Sequence, residues 1–258
     1  MIKRLLLAFL LCGIVSNAKS ASLSQTFDVE IGFFDAAKVN MSYTLNNSDY
    51  TFSAHMSTSG LFDTFYSFDA HYKTTGIIRP SHYITTDYMQ KTKSASHFRT
   101  KQLIFDDNGV LIRRTSSKDE VKKTVDIDLP SFKVNAHDIQ TVLIMLIKNF
   151  QTQNSCNLNK TVFNGKKTYH ITLKDDGRVL YQNKKVKVSG TAHKCSAFIH
   201  QDNAQKGDLL WQTTAEKPIL FYVMKDEKTG LIFVPEIEIA STPLGDLDAY
   251  MTDLTIED

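Results

Sequence analysis

Apolar side chains recur at every second position near the start of the chain: Phe27, Val29, Ile31 and Phe33, then Ala37, Val39, Met41, Tyr43 and Leu45, then Tyr50, Phe52, Ala54 and Met56. A period of two gathers each set on one face of an extended strand, so these runs predict half-buried antiparallel strands rather than helices. The breaks between runs have the chemistry of turns. Asn46-Asn47-Ser48-Asp49 closes the second run, and Asp107-Asn108-Gly109, Asn164-Gly165, Asp176-Gly177 and Lys228-Thr229-Gly230 punctuate the chain further on. Further strands are predicted over 66–72, 83–89, 97–105, 110–115, 124–129, 168–174, 185–192, 219–224 and 232–240. About a dozen strands joined as neighbours predict a mainly β fold, a large curved antiparallel sheet or open barrel.

One stretch breaks this period. After Pro130, the residues Ile139, Val142, Leu143, Leu146, Ile147 and Phe150 recur with helical spacing, and Asn135 or Asp138 can cap the start. Ile144 and Met145 widen the apolar stripe until it runs nearly all round, which predicts one covering helix, buried on most of its surface. Such a helix either plugs the open side of the sheet or forms a lid over an apolar cavity. Ile139, Val142, Leu143 and Leu146 are therefore candidate ligand-facing or lid residues. Phe62, Phe65, Tyr66, Phe68 and Tyr72 crowd the stretch after Leu61. Aromatic strand residues read first as core, and Phe62 and Phe65 are the candidates for a ligand-facing wall.

The first eighteen residues read as an address. Lys3 and Arg4 form a basic start, Leu5 to Val15 an apolar run, and Ser16-Asn17-Ala18 the small-residue end of a secretory signal peptide. The run is shorter than the roughly 20 residues of a membrane-spanning helix. Cleavage after Ala18 would leave residues 19–258 as a single β-rich periplasmic domain with no transmembrane segment. An uncleaved anchor is the rival reading, and lipid attachment at Cys12 fits poorly because Leu10-Leu11 precede it. The full chain of 258 residues carries 30 Lys and Arg against 28 Asp and Glu, and both basic residues of the leader leave with it. A mature chain with balanced charge lacks the basic excess of a nucleic-acid binder.

Cleavage would also remove Cys12, leaving Cys156 and Cys195 as a pair in an oxidising compartment. The simplest expectation is a disulfide, worth roughly 3 to 4 kcal/mol in the chain-entropy model. A metal site formed with His193 and His200 is the weaker alternative, since the spacing is loose. No G-x-S-x-G elbow, P-loop, H-E-x-x-H or C-x-x-C-H is present, so no cofactor, metal or catalytic residue is expected from motifs and the chain reads as non-enzymatic. The acidic pairs Asp106-Asp107 and Asp175-Asp176 each precede a glycine and read as hairpin turns rather than catalytic carboxylates. A calcium loop from Asp106 fails, because the glycine is misplaced and Ser117 stands where a glutamate is needed. The eight histidines fall mostly one to a strand, and sequence does not show whether any converge.

Four segments together resemble a family. They are Ser59-Gly60-Leu61 followed by Ile78-Arg79-Pro80-Ser81-His82-Tyr83, then Val162-Phe163-Asn164-Gly165-Lys166-Lys167-Thr168-Tyr169, then Ala192-His193-Lys194-Cys195, and last Phe233-Val234-Pro235-Glu236-Ile237-Glu238 with Pro243-Leu244-Gly245. From about residue 27 to the end, the chain is similar to an uncharacterised family of bacterial periplasmic proteins, the domain of unknown function DUF3108. The resemblance implies an envelope location and a curved antiparallel sheet reminiscent of lipoprotein and lipid carriers, and it implies no catalytic residues. Two functions follow as expectations: a carrier holding a lipid or other apolar ligand on a concave sheet face, or an envelope module that binds a protein partner without a cavity. A hydrolase with an unrecognised site is a third.

Overall fold

The computed structural model describes residues 20–80, 82–126, 137–164, 167–201, 213–242 and 244–257. The leader at 1–18, the cap candidate Asn135 and the end of the strand expected at 124–129 lie outside these residues, as do Ser81, Gly165, Lys166 and Pro243 of the family-like segments. The chain runs β1 (Ala21–Ile31), β2 (Phe34–Leu45), β3 (Asp49–Thr58), α1 (Gly60–Phe65), β4 (Phe68–Arg79), β5 (His82–Ser94), β6 (Phe98–Phe105), β7 (Leu111–Lys118) and β8 (Val121–Asp126). After α2 (Ile139–Gln153) come β9 (Leu158–Phe163), β10 (Thr168–Gln182), β11 (Ser189–Gln201), β12 (Ile219–Lys225), β13 (Ile232–Phe233), β14 (Glu236–Thr242) and β15 (Gly245–Glu257).

The strands form one 15-stranded sheet in the order β8-β7-β6-β5-β4-β3-β2-β1-β15-β14-β12-β11-β10-β9, with β13 attached to β12. Among the described residues every pairing between strands is antiparallel, β8 and β9 are the ends of the strand order, and the sheet is not closed. The expected curved sheet is thus the observed one. Its first half is a meander of consecutive hairpins, and β1 then pairs with β15, Ser22 opposite Glu257, to join that meander to the second half.

The sheet rolls because its strands are bulged. Register shifts place an extra residue in β2, β5, β7, β10, β14 and β15, and each bulge bends the strand and increases its twist. Opposite the β5 bulge, on β4, a side chain is impossible. A Cβ on Gly76 would lie 2.3 Å from the Ile84 carbonyl oxygen and 2.3 Å from the Tyr50 ring, which crosses directly over the backbone there. The roll carries β9 round until Phe163 packs with Tyr88, Leu103, Phe105 and Leu111 of β5, β6 and β7. Lys101 of β6 donates to the Asn164 carbonyl at 2.8 Å.

Helix α2 occupies the inside of this roll. Its residues Val142, Ile144, Met145, Leu146, Ile147 and Phe150 are buried, so the all-round apolar pattern does mark a helix enclosed on most sides. Asp138 caps it, accepting from the backbone N–H of Gln140 at 2.9 Å and of Thr141 at 3.2 Å. Asn154 ends it in the left-handed region, φ 52°, its N–H donating to the Phe150 carbonyl.

Three expectations need correction. A second helix, α1, occupies the start of the aromatic stretch, so the strand expected from 66 begins only at Phe68. Asp175-Asp176-Gly177 is a bulge inside the continuous β10, not a hairpin turn. The Asp175 side chain still accepts from a nearby backbone N–H, that of Gly177 at 2.9 Å, and Gly177 supplies a φ of 99°. Consequently β10 runs on to Gln182, and residues 183–188 form the turn where a strand was expected from 185. Asp106 does sit in a turn, accepting from the N–H groups of Asn108 and Val110.

Candidate functional site

Strand alternation and the position of α2 together create a cavity. Phe52 and Met41 face it from β3 and β2, Ile171 and Leu173 from β10, Ala197 and Ile199 from β11, and Phe221 and Val223 from β12. The helix closes the remaining side. The space, open toward the surface at Ile139, is about 200 Å³. This is below the roughly 300–1,000 Å³ of drug-sized ligand sites, so its shape suits a slim occupant.

Its lining is almost wholly hydrocarbon, and the polar exceptions are already engaged. The Gln25 amide donates to the Val234 carbonyl at 2.9 Å and accepts from the Val234 N–H at 3.3 Å. The Tyr43 hydroxyl donates to the Ile232 carbonyl at 2.8 Å and accepts from the Ile232 N–H at 3.2 Å. Together these two side chains pin the segment around β13 across the inside of the roll. Burial pushes the Tyr43 hydroxyl well above its ordinary pKa, so it stays neutral. A cavity without open donors or acceptors offers water nothing to bond and stays dry, as apolar cavities do.

Ile139, Val142, Leu143 and Leu146 all line this space, on one face of α2 with Ile147. Ile139 is exposed and Leu143 half-buried, whereas Val142 and Leu146 are buried, so the lining passes from the surface inward along the helix. Phe62 and Phe65 lie elsewhere. They belong to α1, which packs on the start of β2, and Phe65 is 85% exposed. The residues that sequence reasoning missed are Gln25, Tyr43 and the segment at Ile232 and Val234. A glutamine at an inward-facing position of an otherwise apolar run, Leu23-x-Gln25-x-Phe27, was the available signal.

The other sequence candidates resolve as follows. Cys156 and Cys195 form a disulfide, with Cα atoms 6.2 Å apart. Their sulfurs are thereby removed from any thiolate site with His193 and His200. His193 instead bonds through Nδ1 to Asp175 at 2.9 Å, and its Nε2 accepts from Arg178 at 3.3 Å. Asp175 also accepts from the Cys156 N–H at 3.1 Å, which fixes the cysteine end of the bridge. Burial opposes the Asp175 charge, but the N–H groups of Gly177 and Cys156 and the His193 ring outweigh it and hold the carboxyl below its ordinary pKa. His200 is exposed, paired across the sheet with His170. Among the described residues, no helix is long and apolar enough to cross a membrane.

Comparison with known proteins agrees with this architecture. The crystal structure of a beta-barrel-like protein of domain of unknown function DUF1849 from Brucella abortus superposes with a TM-score of 0.53 at 10% identity, covering 92% of this chain and 98% of that one. At that identity the likeness shows the fold alone. No curated protein matches the sequence. The model of the family described as protein of unknown function (DUF3108) matches residues 26–252, nearly the whole chain, and on that match the protein belongs to the DUF3108 family.

Proposed function

We propose that this protein is a non-enzymatic carrier that binds a slim apolar ligand, such as an acyl chain, between α2 and the inner face of the sheet. The single observation that carries the reading is the cavity of about 200 Å³ whose polar lining groups are all internally bonded. Such a site selects by shape and hydrophobicity and contributes no directed polar contact. We place the protein in the periplasm, exported by residues 1–18, where an apolar molecule needs shelter to cross water. The DUF3108 membership and the β-barrel-like neighbour are compatible with this reading and are silent on the ligand.

A second reading is favoured by a different observation. Phe33, Phe34, Leu61, Phe65 and Tyr66 are exposed at the β1–β2 turn and on the adjoining α1, Phe33 to 99%. Exposed apolar groups of this density mark contact surfaces. An envelope interaction module would use them and leave the cavity unoccupied.

The deciding experiment is native mass spectrometry of protein purified from its own cells, with organic extraction and lipid analysis, on wild type and on Ala197→Leu. Ala197 lines the cavity, and the larger side chain takes up part of its volume. A carrier yields a stoichiometric apolar adduct that the variant loses while keeping its fold. An adduct-free wild type, or one whose adduct survives the substitution, overturns the cavity reading.

A further inference from the structure

On the face of the sheet opposite Tyr50 and Phe52, three side chains converge. His55 of β3 and His71 of β4 are direct cross-strand partners, and Asp69 lies two residues before His71 on the same face. The two imidazoles stack with centroids 4.0 Å apart and planes 4° from parallel. Both turn Nε2 toward one carboxylate. His55 Nε2 lies 2.7 Å from Asp69 Oδ2, and His71 Nε2 lies 3.1 Å from Asp69 Oδ1. The three side chains are each about half exposed, so the fold does not require their convergence for burial.

From this geometry we propose that His55, Asp69 and His71 form a binding site for a divalent transition-metal ion, Zn²⁺ foremost. Their ligand atoms lie within 4.8 Å of one another. Tetrahedral zinc with bonds of about 2.0–2.1 Å needs ligand separations of roughly 3.4 Å, which small side-chain rotations supply. On binding, each Nε2–H that now donates to Asp69 is lost to solvent and replaced by a metal bond, while Nδ1 takes up a proton from water, so each ring stays neutral with its proton moved to Nδ1. Two imidazoles and a carboxylate suit zinc, copper or nickel rather than calcium or magnesium, which prefer oxygen. The surrounding charge sharpens that choice. Lys91 stands opposite His71 and Lys93 opposite Asp69 on β5, so a cation held by charge alone is repelled and bonds to nitrogen are needed. Three protein ligands leave a coordination position open. On the side of the histidine pair away from Asp69, a groove of about 510 Å³ is lined by both histidines, Lys73, Lys91 and the cross-strand serines Ser42 and Ser53.

This site is independent of the apolar cavity, being on the other face of the sheet. The test is calorimetric titration of untagged, chelator-treated protein with Zn²⁺ and, separately, Ca²⁺. It uses wild type and the variants His55→Ala, His71→Gln and Asp69→Asn, with circular dichroism to confirm folding. One Zn²⁺ per chain is expected, no Ca²⁺, and at least the 10–100-fold weakening that loss of a supporting group causes, in each histidine variant. Should one variant fail to fold, the cobalt-loaded wild type and the remaining variant decide by the visible absorption of a nitrogen-ligated ion. Absence of Zn²⁺ binding by wild type, or binding that the histidine variants retain, overturns the proposal.

Discussion

His137 stands where the chain enters α2, its backbone bridged in parallel to Val162 of β9. Burial, helped by the charge of Lys160 and opposed by Asp138, pushes its imidazole down to about 4 from an ordinary value of 6.5. With the folded value below the unfolded one, the unfolded chain binds more protons between the two. The contribution of this residue to stability is therefore complete above pH 6.5 and is lost as pH falls toward 4, by up to about 3 kcal/mol. Glu238 and Asp248 bend the curve the other way, because burial first, then nearby carboxylates, holds their carboxyl groups above the ordinary range. The informative quantity is thus the difference between wild type and His137→Gln in denaturant unfolding at pH 7 and pH 4.5. The variant is expected to lose less stability on acidification, and parallel losses would show that His137 titrates normally in the fold.

At the scale of elements, α2 is held at its start by a buried polar cluster. The Asp138 carboxylate accepts from Thr74 at 2.9 Å and Thr85 at 2.7 Å as well as from its own helix, and Thr141 bonds the Tyr50 hydroxyl at 2.7 Å. Strands β3, β4 and β5 thereby grip one end of the helix through hydroxyls. Asp138→Ala leaves these donors and two backbone N–H groups without their acceptor, and a cost of about 2–4 kcal/mol is expected from chemical unfolding. A loss below about 1 kcal/mol would mean the cluster rearranges freely. The helix was legible from its stripe, and Asp138 was readable as a cap, because both are local patterns. Its hydroxyl partners were not, since Thr74 and Thr85 look like ordinary strand threonines, and it is the extra residue Thr86 in β5 that puts Thr85 on the same face as Thr74. The short α1 was hidden for a similar reason. It starts at Gly60, whose φ of 59° and close approach to the Asp35 carbonyl, 3.0 Å from where a Cβ would be, are set by β2 rather than by neighbouring residues. Strand β9, Leu158 to Phe163, carries too few apolar residues to announce itself and is defined by pairing with β10.

For the whole molecule, the period-two pattern sufficed to foresee a large curved antiparallel sheet or open barrel, because each hairpin is a local event, whereas whether the sheet closes was not readable from it. The joining of the two halves through β1 and β15, the inner segment at β13 and the meeting of His55 with His71 depend on register between strands, which one sequence does not display. The cysteine pair was legible from its number alone. It joins the segment after α2 to β11 across 39 residues and accounts for about 4 kcal/mol in the chain-entropy model. Reduction under native conditions should lower the midpoint of thermal unfolding accordingly, as read by calorimetry with and without reductant. An unchanged midpoint would mean that packing of Phe150 against His193, ring centroids 4.9 Å apart, already fixes that junction.

The pairing of β1 with β15 also sets an order of events in time. Ser22 must wait for Glu257, 235 positions later, before its second neighbour exists. While the chain is being made, β1 is paired on one side only, and its other edge of eleven residues stays open to any passing strand. Closing so long a loop is slow. The chain thus carries this adhesive edge until β15 docks on β1, and holding factors that cover a single strand edge would protect it over that interval.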